Sequence, residues 1–399
     1  MSEAYRLRGV LLPEERDTEL WVGADGRLSE EPIPGATTLV DRGWIVPGLV
    51  DAHCHVGLGS KGAKTLDEAA EDAITDRDAG ALLLRDCGSP LDTRPLQGRT
   101  DLPVIIRAAR HIARPKRYIP GLAVELDDPW LLPGEVAEQA RAGDGWVKLV
   151  GDWIDRSEGD LTPVWPDDVL VEAIEAAHAE GARVTAHVFS GAAAEGLVRA
   201  GIDCLEHGTG LADDLIDEMA RRGTALVPTL INVATFPGIA DQAKKYPAYA
   251  DHMRRLHAGA YDTVRRAAEA GVTVYAGTDA GGGIAHGRIA DELLALHEAG
   301  LSAIDALAAG SWATRDWLGA RALVPGAPAD LVVYRADPRA DLTTVREPSL
   351  VMLAGRPVVT GSAASGRLAG RPTHDAGSAS SVPVGRLTGR PTHDAGSAG

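Results

Sequence analysis

Cysteine is scarce in this chain, which has three cysteines in 399 residues. Cys54, Cys87 and Cys204 lie far apart, form no Cys-x-x-Cys pair and leave one residue over. This pattern argues against a disulfide framework and favours a reducing compartment. We expect Cys54 and Cys204 to be small core residues.

Long apolar runs and a surplus of basic residues are also missing. No apolar run approaches the roughly 18 residues of a membrane-spanning helix, and no basic segment followed by an apolar one opens the chain. We therefore expect a cytoplasmic protein without a membrane segment. The formal net charge of −17, with no local cluster of Lys and Arg, argues against a nucleic-acid partner.

Three common motifs are absent. The chain has no Gly-x-x-x-x-Gly-Lys-Ser/Thr phosphate loop, and its Gly281-Gly282-Gly283 run lacks the spacing of a dinucleotide site. It also has no Gly-x-Ser-x-Gly nucleophile elbow. Nucleotide binding and serine-hydrolase chemistry therefore have no support in the sequence.

The composition that remains is that of a globular protein, with 45% hydrophobic and 24% charged residues. Over residues 47–322, apolar runs alternate with Ala-rich amphipathic segments. Eight strand signals alternating with helices favour an α/β fold of the (β/α)8 TIM barrel type. After a first strand that ends at His53, the predicted strands are 81–84, 104–108, 146–150, 182–186, 203–205, 225–227 and 272–276. The predicted helices are 66–78, 133–142, 166–180, 192–200, 211–221, 248–270, 291–299, 302–309 and 312–318.

The segments before and after residues 47–322 have a different sequence pattern. Residues 1–46 contain short alternating apolar runs broken by Pro and Gly turns, and residues 323–364 return to short strands. Each piece alone is too small to bury a core. We therefore expect the two pieces to form one small β-sandwich domain beside the barrel.

The last segment, residues 365–399, differs in kind. Residues 366–380 recur at 385–399 with 13 of 15 positions identical. Gly, Ser, Ala and Pro dominate and hydrophobic periodicity is absent, which predicts a flexible low-complexity tail. The alternative is that His374 and His393 bind metal adventitiously, and we leave both out of the predicted site.

The clearest chemical signal is the His53-Cys54-His55 sequence at the end of the first predicted barrel strand. Successive strand side chains point to opposite faces, so His53 and His55 lie on one face and Cys54 on the other. Two imidazoles about 7 Å apart along a strand can converge on one metal ion. An isolated His-x-His pair also occurs at surfaces and in cores, so other residues must decide.

Those other residues fall at the carboxyl ends of later strands, where barrel enzymes carry their reactive groups. Lys148 lies near the end of the fourth predicted strand and His187 ends the fifth. His207 follows the sixth, and Asp279 follows the eighth. With the first histidine pair, the sequence places four His, one Lys and one Asp at one mouth of the predicted barrel.

The stretches VDAHCH, WVKLV, VTAHV, CLEHGTG and YAGTDAG resemble the metal-dependent amidohydrolase superfamily, in particular its binuclear members with a lysine on the fourth strand. The resemblance covers about residues 5–362. Within the superfamily, the chain most resembles the imidazolonepropionase-like and Xaa-Pro dipeptidase-like branch. It implies two divalent metal ions. The more buried ion would be held by His53, His55 and Asp279, the more exposed ion by His187 and His207, and Lys148 would bridge both.

The resemblance also implies a chemical form for Lys148. An ammonium beside two dications is electrostatically unfavourable, whereas the neutral amine reacts with CO2 to give an anionic carbamate that can bridge two ions. The alternative is a lysine whose head reaches solvent or pairs with an acid. Zinc is the first expectation for these ligands, and Mn, Co or Fe fits as well.

These features imply a hydrolase that cleaves an amide bond of a small substrate, such as a dipeptide or an N-acyl amino acid. A metal-bridging hydroxide would attack, and Asp279 would take its proton and pass it to the leaving group. The alternatives are a cyclic amide, lactone or organophosphate hydrolase with the same centre, a one-metal deaminase, and a non-catalytic barrel scaffold. Lys148 argues against the deaminase, which needs no bridge. A homo-oligomer is compatible with the sequence.

Further residues are candidates for substrate binding. His111 follows the third strand and could bind a substrate carbonyl or carboxylate. The alternative is a histidine that caps a helix or lies at the surface. Tyr118 and Trp153 lie in loops and could line an apolar pocket or close the barrel. His286 and Arg288 lie in the loop after the eighth strand, where they could touch substrate.

Arg85 and Asp86 end the second predicted strand. They are expected to form a structural ion pair under the site. The alternative is that Arg85 binds a substrate carboxylate.

Overall fold

The computed structural model describes residues 3–361. The predicted tail at 365–399, with its repeat and both of its histidines, lies outside the described residues. The strands are β1 (Tyr5–Leu11), β2 (Arg16–Val22), β3 (Leu28–Ser29), β4 (Thr37–Val40), β5 (Trp44–Pro47), β6 (Leu49–Cys54), β7 (Leu58–Gly59), β8 (Gly62–Ala63), β9 (Ala81–Asp86), β10 (Val104–Arg107), β11 (Ile112–Ala113), β12 (Val124–Glu125), β13 (Trp146–Val150), β14 (Asp152–Asp155), β15 (Asp160–Pro163), β16 (Arg183–Val188), β17 (Cys204–His207), β18 (Ala225–Val227), β19 (Leu331–Tyr334), β20 (Leu350–Leu353) and β21 (Arg356–Thr360). The α-helices are α1 (Leu66–Asp78), α2 (Leu132–Ala142), α3 (Asp167–Ala179), α4 (Gly191–Arg199), α5 (Asp213–Arg222), α6 (Leu230–Val233), α7 (Phe236–Gln242), α8 (Pro247–Glu269), α9 (Ile289–Glu298), α10 (Ala303–Ala309) and α11 (Trp312–Trp317).

Several helices begin and end where local groups satisfy their free backbone atoms. Before α1, the Thr65 hydroxyl accepts from the Glu68 N–H at 3.3 Å, and the Glu68 carboxylate accepts from the Thr65 N–H at 2.8 Å. This reciprocal pair is a capping box. At its C-terminus, α5 stops at Gly223, whose φ of +75° is left-handed. Such caps fix where the connecting loops start.

One sheet joins the two ends of the described chain. Its order is β21-β20-β19-β5-β1-β2-β3, and β4 also pairs with β1. β5 is parallel to β1 and antiparallel to β19. Leu7, Ile45 and Val333 are buried in one cluster on this sheet. Strands from both ends therefore share a core, while the predicted separate sandwich domain stays a prediction.

The strands between them are mainly parallel. They form two sets, in the orders β10-β9-β6 and β12-β11-β13-β16-β17-β18. Residues 273–276 connect the edge strands of these sets, because the Tyr275 N–H donates to Leu226 O and the Ala52 N–H donates to Ala276 O, both at 2.9 Å. The strand predicted at 272–276 is thus present as a single bridge at Val274 and these bonds.

The parallel register brings strand ends together, and helices connect the strands. Val150 of β13 pairs with His187 of β16, and His187 pairs with Glu206 of β17. α3, α4 and α5 each lie between two consecutive strands of this group along the chain. Because β6 and β9 are buried along their whole length, they are covered on both faces, as in α/β proteins. The fold is therefore α/β.

The helices differ from the sequence pattern in one region. α6 and α7, of four and seven residues, lie where no helix was predicted. The longest helix among the described residues, α8, has 23 residues and buries Met253, Leu256 and Val264 on one side. Within residues 3–361, no helix combines the length and the apolar character needed to cross a membrane.

The contact between β1 and the turn before β5 predicts a sensitive position at Gly9. A Cβ added there would collide with the carbonyl oxygen of Gly43, which accepts from the Val10 N–H at 2.9 Å. We expect Gly9→Ala to lower the free energy of unfolding by about 1–3 kcal/mol, because both backbones must move apart. Denaturant unfolding measures this change.

Gly134→Ala is the matched control, because a Cβ at this position in α2 meets nothing within 4 Å. Replacing a helical glycine with alanine stabilises by roughly 0.5–1 kcal/mol. Equal effects of the two substitutions would contradict the predicted close approach at Gly9.

Candidate metal centre

The structure brings the six predicted ligand residues to neighbouring strand ends. His53 lies in β6 and His55 directly after it, Lys148 lies in β13, and His187 lies in β16. His207 ends β17, and Asp279 follows the segment that connects β18 to β6. The four imidazoles and the lysine are at most 4% exposed. The Asp279 side chain is 19% exposed and forms the most accessible part of the group.

His53, His55 and Asp279 converge closely. His53 Nε2 and His55 Nε2 lie 3.3 Å apart, and Asp279 Oδ1 lies 3.2 Å from the first and 2.9 Å from the second. His55 Nδ1 lies 2.8 Å from Gly88 O. Since a carbonyl oxygen only accepts, this contact favours a proton on Nδ1 and leaves the Nε2 lone pair free.

His187 and His207 form a second pair beside the first. His187 Nδ1 lies 3.0 Å from His207 Nε2, and His207 Nδ1 lies 2.7 Å from Thr229 Oγ1. His187 Nε2 is buried without a hydrogen-bond partner among the described residues. Ligand atoms of His53, His207 and Asp279 all lie within 4.8 Å of one another, so the two pairs adjoin.

Lys148 is fully buried between these groups. Its Nζ has no hydrogen-bond partner within residues 3–361. Its charge helps to lower the pKa values of His187 and His207, after the larger effect of burial, which shows that it lies electrostatically close to both. Burying a polar group without a hydrogen-bond partner is unfavourable, and residues 3–361 leave this amine unsatisfied.

The electrostatics suit metal binding. Burial lowers the pKa of His207 to about 3 and the pKa of His187 well below its ordinary value. Burial opposes ionisation of Asp279, but His53 and His55 outweigh it and hold the pKa of this carboxyl well below its usual range. Neutral imidazoles and an ionised carboxylate are the forms that bind divalent metal. At His53, burial and the charge of Lys148 lower the pKa, but Glu206 and Asp279 outweigh them and raise it, so this imidazole must release its proton when a metal ion binds. The donor set therefore fits the ions that the family implies.

Left-handed backbone at non-glycine residues concentrates here. His207, Thr229 and Asp279 have φ values of +69°, +46° and +57°. Such conformations cost free energy and persist where the surrounding contacts impose them. In Asp279, the N–H donates to His53 O at 2.7 Å, which joins the backbone of one candidate ligand to that of another.

Arg85 lies under the site and is completely buried. Its Nη2 donates to Glu206 Oε1 at 2.6 Å, and its guanidinium lies 4.4 Å from the centre of the Trp146 ring. The expected pairing with Asp86 is therefore replaced by a pair with Glu206. Glu206 Oε2 in turn lies 2.7 Å from His53 Nδ1, although outside regular hydrogen-bond geometry.

Three of the predicted substrate residues lie against the histidines. The His111 ring is 5.0 Å from that of His55 and 5.2 Å from that of Tyr118. Trp153 is 4.9 Å from Tyr118 and 5.4 Å from His187. His111 is fully buried, and neither of its ring nitrogens has a partner among the described residues. These rings form an aromatic wall beside the candidate metal ligands.

The other two predicted substrate residues are engaged elsewhere. His286 Nδ1 lies 2.7 Å from Asp76 Oδ2 on α1. Arg288 Nε donates to Asp291 Oδ2 on α9 at 2.7 Å. These contacts tie the loop to two helices and include none of the six candidate ligands.

Sequence reasoning missed Asn232, which donates from Nδ2 to Asp279 Oδ2 at 2.7 Å. A signal was available, because Asn232 is the only asparagine among 399 residues. Thr229 and Glu206, which contact His207 and His53, were missed as well. Their residue types are common in the chain, so composition could not have singled them out.

Comparison with known proteins identifies the class. The model described as Amidohydrolase family matches residues 44–358, so the chain belongs to the amidohydrolase family, as its motifs predicted. By its family the chain is a hydrolase of the amidohydrolase type. Metal dependence is general in this family, and the chain has residue groups that could hold metal.

The chain is also similar to individual proteins in sequence or in fold. An uncharacterized protein of Mycobacterium tuberculosis (strain ATCC 25618 / H37Rv) is 62% identical over 357 residues, which cover 89% of this chain and 96% of that protein. The structure of a Xaa-Pro dipeptidase with bound methionine matches with a TM-score of 0.75 and 20% identity, over 90% of this chain and 100% of that one. A prolidase complexed with N-methylphosphonate-L-proline matches with a TM-score of 0.74 and 18% identity, over the same shares. At these identities the two structures demonstrate a common fold.

Asp86, at the end of β9, generates a prediction on pH dependence. It is buried, and its Oδ1 accepts from the Gly88 N–H at 3.0 Å. Burial raises its pKa to about 8, against about 3.9 for an unfolded aspartate. The folded chain therefore keeps a proton that the unfolded chain has released, so this group's contribution to stability is lost as the pH rises from about 4 to about 8.

We expect Asp86→Asn, which lacks this titration, to gain in melting temperature relative to the wild type over that range and to level off above about pH 8. Each pKa unit corresponds to about 1.4 kcal/mol, so even part of the shift is measurable. Thermal unfolding of chelator-treated protein at pH 5, 7 and 9 tests this. The exposed Asp217 provides the control Asp217→Asn, and an equal gain there would contradict the assignment.

Proposed function

We propose that the chain is a binuclear metal-dependent hydrolase that cleaves an amide bond of a small substrate, such as a dipeptide or an N-acyl amino acid. The observation that carries this proposal is the convergence of His53 Nε2 and His55 Nε2 on Asp279 Oδ1, next to the buried Lys148 whose Nζ has no protein partner within residues 3–361. We also propose that the parallel strands close into a (β/α)8 barrel and that residues 1–46 and 323–364 form a separate β-sandwich domain.

In this proposal His53, His55 and Asp279 would hold the more buried ion, and His187 and His207 the more exposed one. Lys148, as a carbamate, would serve as a ligand to both. The carbamate supplies two oxygens and a negative charge in place of an ammonium that has no acceptor within hydrogen-bond distance in the described chain. Zinc is the first expectation, and Mn, Co or Fe is compatible with nitrogen and oxygen ligands.

When bound, such ions lower the pKa of a water molecule and polarise a substrate carbonyl. The protein's own groups do the rest. Asp279 is ionised and partly accessible, so its carboxylate can take a proton from the attacking water and return it to the leaving nitrogen. The contact between His55 Nδ1 and Gly88 O fixes the tautomer and the orientation of that imidazole, and burial lowers its pKa, which favours the neutral form.

The substrate class is supported by the surroundings of the ligands. The rings of His111, Tyr118 and Trp153 offer an apolar wall that would exclude water, and the unpartnered nitrogens of His111 can bind a polar substrate atom. The structurally similar proteins include a Xaa-Pro dipeptidase, which is in keeping with a peptide-like amide. Such an aromatic wall would equally suit a cyclic amide, a lactone or an organophosphate.

Metal analysis tests the centre. Protein purified with added metal and bicarbonate is expected to contain two ions per chain, and Lys148→Ala is expected to contain one or fewer. Lys244, which is exposed, provides the control Lys244→Ala. A single ion that is unchanged in Lys148→Ala would contradict the bridged centre.

A hydrolysis screen over dipeptides, N-acyl amino acids, lactones and organophosphate triesters tests the reaction. We expect turnover of an amide, and we expect Asp279→Asn to lower it about 10²–10⁴-fold because the proton acceptor is lost. Asp279→Asn should retain much of the metal, which separates the proton role from ligand loss. Normal turnover in this variant would remove Asp279 from the reaction, and turnover restricted to lactones or organophosphates would replace the amide by that class.

A further inference from the structure

The turn formed by residues 229–232 contacts the candidate site at two points. Thr229 Oγ1 lies 2.7 Å from His207 Nδ1, and Asn232 Nδ2 donates to Asp279 Oδ2 at 2.7 Å. We propose that Asn232 is a positioning residue for Asp279, and that the buried Glu292 holds the turn that presents it. This inference rests on the proposed metal centre and adds a residue to it.

The direction of the Asn232 contact follows from the chemistry of its partner. A carboxylate oxygen accepts hydrogen bonds and an amide nitrogen donates them, so Nδ2 of Asn232 faces Asp279 Oδ2. With Oδ2 engaged, Oδ1 is the oxygen that faces His53 and His55, at 3.2 and 2.9 Å. The torsion that rotates a carboxylate is soft, so without this donor the plane of the carboxylate can turn away from the histidines. Asn232 therefore fixes the orientation in which the carboxylate faces the histidine pair.

The backbone of Asn232 is fixed from both sides. Its N–H donates to Thr229 O at 2.8 Å. Its carbonyl oxygen accepts from the Thr235 N–H at 2.8 Å and from the Thr235 hydroxyl at 2.7 Å. Because the main chain cannot rotate freely, the short side chain has a defined reach. This is what a positioning role requires.

Glu292 on α9 anchors the whole turn. Its carboxylate is completely buried and accepts from the N–H groups of Leu230 at 2.8 Å and Ile231 at 3.0 Å. Both N–H groups lie at the start of α6, where no helical partner exists for them. They follow Thr229, whose left-handed φ of +46° needs such support. The carboxyl group of Glu292, 62 residues after Leu230, thus holds the turn from which Asn232 points.

The alternatives at position 232 explain why a neutral donor suits it. An aspartate would have the same shape but would turn an attractive contact into repulsion between two carboxylates. An alanine would leave Oδ2 without its partner. Asn232→Asp and Asn232→Ala therefore remove the same hydrogen bond in two ways, and the first preserves the volume of the side chain.

The test is a titration of chelator-treated protein with Zn²⁺ in competition with a chromophoric chelator, together with the visible spectrum after loading with Co²⁺. Wild type is expected to bind two ions. Asn232→Ala is expected to bind one of them about 10–100-fold more weakly, which is the usual loss when a partner of a metal ligand is removed. Its Co²⁺ spectrum is expected to differ from that of the wild type. Asn232→Asp should change the Co²⁺ spectrum too, and it keeps the test usable if Asn232→Ala does not fold.

Gln97 provides a matched control, because its Nε2 donates to Asp144 Oδ2 at 2.7 Å far from the candidate ligands. Gln97→Ala removes an amide-to-carboxylate bond of the same kind and should leave the titration and the Co²⁺ spectrum unchanged. If Asn232→Ala behaves like Gln97→Ala while the wild type binds two ions, the role of Asn232 is wrong and the metal centre stands. If the wild type binds no metal, the proposed function fails and this inference fails with it.

Discussion

The candidate site depends on the contacts that the buried carboxylate of Glu206 makes. It accepts from Arg85 Nη2 at 2.6 Å and from the Thr185 hydroxyl, and its second oxygen lies 2.7 Å from His53 Nδ1. Arg85 and Glu206 are both fully buried, and removing one partner of such a pair typically costs about 3–5 kcal/mol because the other charge stays buried. With this carboxylate beside Nδ1, Nε2 is the nitrogen of His53 that faces Asp279, at 3.2 Å from its Oδ1. The same ion pair thus serves the core and the orientation of a candidate ligand.

Further buried carboxylates fix the segments that carry the site. Each accepts hydrogen bonds from backbone N–H groups near or after the end of a strand. They are Asp51, which accepts from His53 and Thr278, Asp152, which accepts from Phe189 and Ser190, and Glu292, which accepts from Leu230 and Ile231. Loops after strands otherwise have free N–H groups and move more than the strands. By satisfying these groups, the acids hold the loops in the positions that the candidate ligands need.

How much could be predicted depends on how local each signal is. The helix predicted at 66–78 has those bounds in the structure, since a capping box and a run of alanines define it within one segment. α6 and α7 were not predicted, because helices of four and seven residues are too short to show a hydrophobic periodicity. The ligand candidates followed from strand ends, which sequence can locate. Asn232 and Glu206 did not, because their partners Asp279 and Arg85 are 47 and 121 residues away and only the fold brings them together.

Burial changes the pKa values of acidic residues near the candidate site. Burial first, and then the charge of neighbouring acids, raises the pKa of Asp51 to about 7 and that of Glu292 to about 8. Cations bound among the histidines would lower these values, so metal binding and proton release are coupled in such a site. A lysine or arginine at position 232 would hold Asp279 as firmly, but its charge would compete with those cations for the carboxylate. The uncharged amide of Asn232 orients Asp279 and leaves its charge available.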